Sequence, residues 1–230
     1  MNYELLDRPI GQLVAEKPAR SIVFERWGID YCCGGKKPLQ QVLLTKQLNS
    51  ERILEEIDQI DHAVRAPEID WTKESMTSLC DHIYETHHEP MRAALPRLSA
   101  LVGKVADRHG AKDARLIQLR EVFEGFQSEL LAHMEKEDRI LFPMIRMLDS
   151  GANVHSVAGP IEVMLAEHDD AGEALASMKN LTDGFAAAPD ACNSHRAMLD
   201  GLAELESDMH RHIHKENNIL FPRALAASKV

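Results

Sequence analysis

A single eleven-residue pattern, His-x-x-Lys-Glu-x-x-Ile-Leu-Phe-Pro, occurs twice in this chain, 79 residues apart. One copy reads His133-Met-Glu-Lys-Glu137-Asp-Arg-Ile-Leu-Phe-Pro143, and the other His212-Ile-His-Lys-Glu216-Asn-Asn-Ile-Leu-Phe-Pro222. Identity at so many fixed offsets points to a duplicated structural unit. Residues four apart on a helix share one face, about 6 Å apart along the axis. Each His-x-x-x-Glu pair can therefore reach one point in a helical core. If the unit is a hairpin, each copy needs an equivalent first helix. His88 lies 45 residues before His133, and His168 lies 44 before His212. The sum is four imidazoles and two carboxylates. That is too many for one closed tetrahedral zinc. It suits a dinuclear site in a helix bundle, with non-haem iron favoured and manganese or a mixed pair left open. His87 adjoins His88, but neighbouring helical positions differ by about 100°, so the matched spacing selects His88. His210 and His214 flank His212 and are expected to face solvent or the site's surroundings. His62, His109, His155 and His195 fall near ends or linkers and need no special role.

The rest of the chain agrees with an all-α fold. Of its 230 residues 44% are hydrophobic and only 5% aromatic. Residues 73–230 read as an antiparallel bundle of four long helices, at about 73–108, 113–147, 159–182 and 189–217. Pro90 and Pro96 should kink the first, and Pro143 should bend or end the second. Leu220-Phe221-Pro222 should open a short tail. Residues 1–60 read as a small helical domain with short helices at 10–16, 19–27, 39–46 and 51–60, and residues 61–72 as a linker. The formal charge of −11 repels phosphate backbones, so nucleic acid is excluded as a partner. No apolar run approaches the roughly 18 residues of a membrane span, and the N-terminus does not read as a secretory signal. A cytoplasmic location follows by elimination, and the four cysteines read as reduced thiols.

Cys32 and Cys33 stand in the turn Asp30-Tyr-Cys-Cys-Gly-Gly-Lys-Lys-Pro38. A glycine-rich turn can expose thiols, and Lys36 and Lys37 would favour the thiolate. Such thiols could contact a damaged cluster, bind iron or NO, or exchange electrons. Cys80 falls on the apolar pattern of the first long helix. Cys192 lies near a helix start and reads as incidental.

The two HxxxE motifs closing in Leu-Phe-Pro resemble the hemerythrin-like bundle. Together with Cys32-Cys33-Gly-Gly and Glu167-His168-Asp169, they resemble more closely the bacterial di-iron proteins that repair iron–sulfur clusters (Repair of Iron Centres). The resemblance covers nearly the whole chain. It implies a cytoplasmic protein, able to dimerise, acting in recovery from nitric oxide and oxidative stress on damaged or apo iron–sulfur proteins. It implies two non-haem irons, carboxylate- or oxo-bridged, on His88, His133, Glu137, His168, His212 and Glu216, with the glutamates bridging. True hemerythrins carry a second histidine one turn further along the third helix. Here that position is Gly172, so one protein ligand fewer and a more open iron are expected. Glu167 is a candidate for controlling access or orienting a ligand. Three tasks stay open at this point: donating iron, reducing NO to nitrous oxide, or binding NO or O2 as a sink or sensor without turnover.

Overall fold

The computed structural model describes residues 2–63, 69–152, 154 and 156–228. Part of the expected linker, with Ala66 and Pro67, and His155 lie outside the described residues. Among those described there are helices and one isolated backbone bridge, Pro9 to Pro38, but no strand.

Four short helices come first: α1 (Ile10–Glu16), α2 (Arg20–Arg26), α3 (Leu39–Thr45) and α4 (Ser50–Ala63). A 3-10 turn, Tyr3–Asp7, precedes them, its first turn capped by the Asn2 side chain. Their apolar faces enclose Ile10, Leu13, Phe24, Leu39, Ile53 and Leu54, all essentially inaccessible. Burying each such side chain contributes about 1.5–3 kcal/mol. Arg20 on α2 closes this module by pairing with Asp61 on α4, with Nη2 2.6 Å from Oδ2.

The bundle is built from α5 (Met76–Ile83), α6 (Glu89–His109), α7 (Arg115–Lys136), α8 (Phe142–Asp149), α9 (Ala158–Leu181), α10 (Asn193–Lys215) and α11 (Phe221–Ala227). Three of the four long helices are interrupted by a wide π turn: Tyr84–His88 joins α5 to α6, Glu137–Leu141 joins α7 to α8, and Glu216–Leu220 joins α10 to α11. Each is followed by a proline at the second residue of the next helix: Pro90, Pro143 and Pro222. Proline donates no N–H, and its ring crowds the carbonyl four residues earlier. The wider turn removes that conflict without ending the helix. The expected kink at Pro90 and bend at Pro143 are therefore π turns. Pro96 lies within α6 without ending it. The stretch after Leu220 is not a tail but a helical continuation, α11.

The π turns lie in one layer and divide the bundle's apolar interior in two. On one side α6, α7 and α10 bury Leu95, Leu119, Phe123 and Met198. On the other, α5, α8 and α11 bury Leu79, Ile145 and Ala224. The uninterrupted α9 spans both, with Ile161 and Met164 in one slab and Leu175 and Met178 in the other. His168 falls between them. The polar layer is thus held between two dry slabs.

Candidate metal centre

Six polar side chains fill that layer. His88, Glu137, His168, His212 and Glu216 are at most 1% exposed, and His133 is 4% exposed. Their ligating atoms form two clusters. One holds His88 and His212, the other His133 and His168, and Glu137 and Glu216 belong to both. Glu216 turns one oxygen to each: Oε1 is 3.0 Å from His212 Nε2, and Oε2 is 3.2 Å from His168 Nε2. Glu137 Oε2 lies 3.4 Å from His88 Nε2 and 3.3 Å from His133 Nε2.

The ring nitrogens face one another in pairs. Nε2 of His88 is 3.0 Å from that of His212, and Nε2 of His168 is 3.1 Å from that of His133. Three of these rings are held by their other nitrogen. His88 Nδ1 donates to Asp138 at 2.7 Å, His133 Nδ1 to Glu167 at 2.8 Å, and His168 Nδ1 to Asn217 at 2.8 Å. A neutral ring that donates through Nδ1 presents a bare lone pair at Nε2. Lone pairs facing each other at that distance repel unless a proton or a metal ion stands between them. Two imidazoles at right angles on one metal, about 2.1 Å from it, place their nitrogens about 3.0 Å apart. Among the described residues, both oxygens of Glu137 and Oε2 of Glu216 are buried without a hydrogen-bond partner. An unpaired buried carboxylate oxygen is costly. The donor set and the orphaned oxygens therefore fit two cations.

The electrostatics agree. Burial pushes the His88 pKa down, but Asp138 and Glu137 outweigh it and raise it to about 9. Burial likewise pushes the His133 pKa down, and Glu137, Glu216 and Glu167 outweigh it and raise it to about 9. Burial and Glu216 push Glu137 up, yet His133 and His88 outweigh them and hold it at about 2. The cage stabilises positive charge at its centre. His212, fully enclosed and beside His88, is pushed well below the ordinary histidine value.

The repeated Phe now has a reason. Phe142 stacks on His88 at 5.5 Å and Phe221 on His168 at 5.9 Å, each nearly parallel. Glu167 also pairs with Lys136, so one carboxylate ties α9 to the last turn of α7. A cavity of about 240 Å³ opens beside this pair, lined by His133, His168, Glu167, Lys136, Phe126 and Ala171.

Several side chains depart from the sequence-based expectations. His87 is buried at 1% exposure and stacks on His212 at 5.3 Å. It is fixed by Asp208, 3.0 Å from Nδ1, and by Lys215, whose Nζ donates to Nε2 at 2.7 Å. His214 does not face solvent: it is buried with its ring edge-on to Tyr31. His210 is half-buried, also edge-on to Tyr31. Cys80 is buried in the apolar slab, and Cys192 is exposed.

The cysteine loop differs most. Cys32 is buried against the bundle core and only Cys33 reaches the rim. Lys36 and Lys37 are exposed, and the charged group beside Cys32 is instead Asp30, 3.2 Å from its sulfur. The hydrogen bond to Cys33, burial and Asp30 together push the Cys32 thiol well above its ordinary value. The expected thiolate promotion by lysine is therefore wrong for Cys32, because desolvation and a neighbouring anion act against it. The loop docks on the π turn Glu216–Leu220. Asn218 Nδ2 donates to the carbonyls of Tyr31 at 3.2 Å and Cys32 at 3.0 Å. Its side chain slots between Gly11 and Gly35, where an added Cβ would lie 2.2 and 2.1 Å from Asn218 Oδ1. Cys33 Sγ lies 3.6 Å from the His168 carbonyl, and it is the nearest atom to a Cβ added at Gly172, at 4.0 Å. The position where a second histidine was absent from the sequence thus adjoins a thiol.

Four imidazoles and two shared carboxylates, enclosed between the dry halves of a helix bundle, define a dinuclear metal protein of the bundle class. Residues 79–224 match the Hemerythrin HHE cation binding domain, and residues 6–61 match a Domain of Unknown function (DUF542). The chain is 40% identical over 220 residues to the iron-sulfur cluster repair protein YtfE of Enterobacter sp. (strain 638), covering 96% of this chain and 97% of that one. It is 39% identical over the same shares to proteins of that name from Citrobacter koseri and Escherichia coli O17:K52:H18. The chain belongs to the hemerythrin HHE family and, within it, to the family of the iron-sulfur cluster repair protein YtfE. Its cofactor is accordingly a pair of non-haem irons, which the two clusters fit.

Proposed function

We propose that this protein repairs iron–sulfur clusters damaged by nitrosative and oxidative stress, donating iron or handling NO at an open di-iron site in the cytoplasm. His88 and His212 would hold one iron, His133 and His168 the other, and Glu137 and Glu216 would bridge them. Iron bound there would supply open coordination positions for a small ligand such as NO and a ferrous ion able to leave. The chain's own residues do the rest. Asp138, Glu167 and Asn217 fix the tautomer and aim of three imidazoles. The two apolar slabs keep bulk water from the carboxylates. The single observation that carries the reading is the placement of Cys33, 3.6 Å from the His168 carbonyl at the Gly172 face. A buried metal layer next to a rim thiol suits exchange with a damaged cluster better than storage. The partners would be apo or damaged iron–sulfur proteins, and NO.

The test is anaerobic. The diferrous protein is given NO and nitrous oxide is measured, and the same preparation is given an apo-ferredoxin and cluster recovery is measured. Recovery supports repair, and nitrous oxide adds NO reduction as an activity. Failure of both, with stable NO adducts, would make the chain a sink or sensor instead, a role that the opening beside His133 would also serve.

A further inference from the structure

Asp30, Cys32 and Cys33 form a third group of metal-ligating atoms, all within 4.8 Å of one another and outside the six-residue cage. The Asp30 carboxylate organises the loop. Oδ1 accepts the N–H groups of Cys32 at 3.1 Å and Cys33 at 2.9 Å, and Oδ2 accepts that of Gly34 at 2.8 Å. The Cys32 thiol donates to Oδ1 at 3.2 Å. The closeness of the turn requires glycine at position 34, where an added Cβ would lie 2.7 Å from the Asp30 carbonyl and 3.0 Å from Oδ2.

The two sulfurs stand 4.0 Å apart, although their residues are adjacent in the chain. Two thiolates on one tetrahedral metal, each about 2.3 Å from it, are about 3.8 Å apart. The sulfurs are thus set at chelating separation. Vicinal cysteines need a loop bent to this shape before both can face one point, and Asp30 supplies that bend. Exposure is graded across the group: Asp30 is exposed, Cys33 half-buried and Cys32 buried. An ion there would be reached from solvent over Asp30 and would have the α9 backbone at His168 behind it.

We propose that Asp30, Cys32 and Cys33 form a separate mononuclear site that binds one ferrous ion as cargo, a station between the bundle and an acceptor protein. The ion's identity as cargo rests on the repair reading above, whereas the site itself does not. Binding replaces the two thiol protons, so one divalent cation enters and two protons leave to solvent. No electron is transferred. Two thiolates and a carboxylate leave a fourth position open, through which an incoming thiolate of an apo-protein could take the ion by ligand exchange.

The experiment is an anaerobic titration of the full-length, iron-loaded protein with cobalt(II). One cobalt per chain should add beyond the bundle metals, with a thiolate-to-cobalt charge-transfer band. Cys33→Ser should abolish the band. Asp30→Asn, which keeps an acceptor oxygen in the loop, should weaken binding by about tenfold or more. Excess ferrous iron should displace the cobalt, since cobalt binds such a site more tightly at equal concentration. Absence of the band, or a band untouched by both substitutions, overturns the site. Displacement by zinc but not by excess ferrous iron overturns its role as an iron station. Failure of the bundle reading is read separately, as fewer than two irons in the isolated protein with the thiolate band still present.

Discussion

The two copies of the repeat build the same half-site and finish it differently. In both, the residue after the glutamate anchors the histidine of its own hairpin: Asp138 holds His88 and Asn217 holds His168. In both, the phenylalanine stacks on that ring. The copies part at the residue preceding each first-helix histidine. In the second hairpin it is Glu167, which accepts from His133 and pairs with Lys136. In the first it is His87, which meets Lys215 and stacks flat on His212. His212 Nδ1 is left buried without a hydrogen-bond partner among the described residues. The copies part again two residues after the glutamate, where Arg139 is exposed but Asn218 is clamped by the cysteine module. The two copies thus combine into two equivalent cation cages, each taking one histidine from either hairpin. They differ in that Glu167 and a cavity adjoin His133 of the first copy, while the π turn of the second copy is the docking post of the cysteine loop.

The most severe way to probe the shared part is to remove a bridge. Glu137→Leu and Glu216→Leu should each drop iron loading sharply, to well under half of two irons per chain, because each carboxylate belongs to both clusters. Metal analysis after anaerobic purification reads this, and one variant that kept a full pair would break the symmetry. Glu167→Gln tests the anchor that only one copy has. It keeps an acceptor for His133 but removes the charge, so iron affinity should fall about 10- to 100-fold, measured by competition with a chelator.

Gly35→Ala tests the docking post. Its Cβ would displace Asn218, removing the bonds to Tyr31 and Cys32, and should cost about 1–3 kcal/mol. Cys32 should then react faster with a thiol reagent. The matching change on the other copy, Arg139→Ala, should stay within about 0.5 kcal/mol in a denaturant melt.

A further effect is one of pH and belongs to the module alone. Burial works against the Asp61 charge, but Arg20 and Lys17 outweigh it and hold the carboxyl below the usual range. A depressed folded value contributes stability that is present above the unfolded value, near 3.9, and lost as pH falls through the folded one. The module should therefore lose stability as pH drops below about 4, a loss that Asp61→Asn should not show. Melts followed by thiol exposure would separate this from unfolding of the bundle.

Much of this was legible in the chain. The eleven-residue repeat and the matched 45- and 44-residue spacings bring six side chains to one layer, because a helix returns the same face at fixed intervals. That logic is local, so sequence alone carries it. The first three long helices were legible too, within a few residues of their ends, whereas the fourth runs on past Leu220 as α11. Three features needed the tertiary structure. The π turns answer a conflict between proline and a continuous bundle. Cys32 is buried because Asn218, 186 residues away, draws its carbonyl onto the bundle. His87 reaches the interior because stacking on His212 and pairing with Asp208 and Lys215 outweigh the helical phase that favoured His88 alone. Periodicity shows which residues share a face. Only packing between distant segments decides which of them lose water, and with it the charge of a thiol.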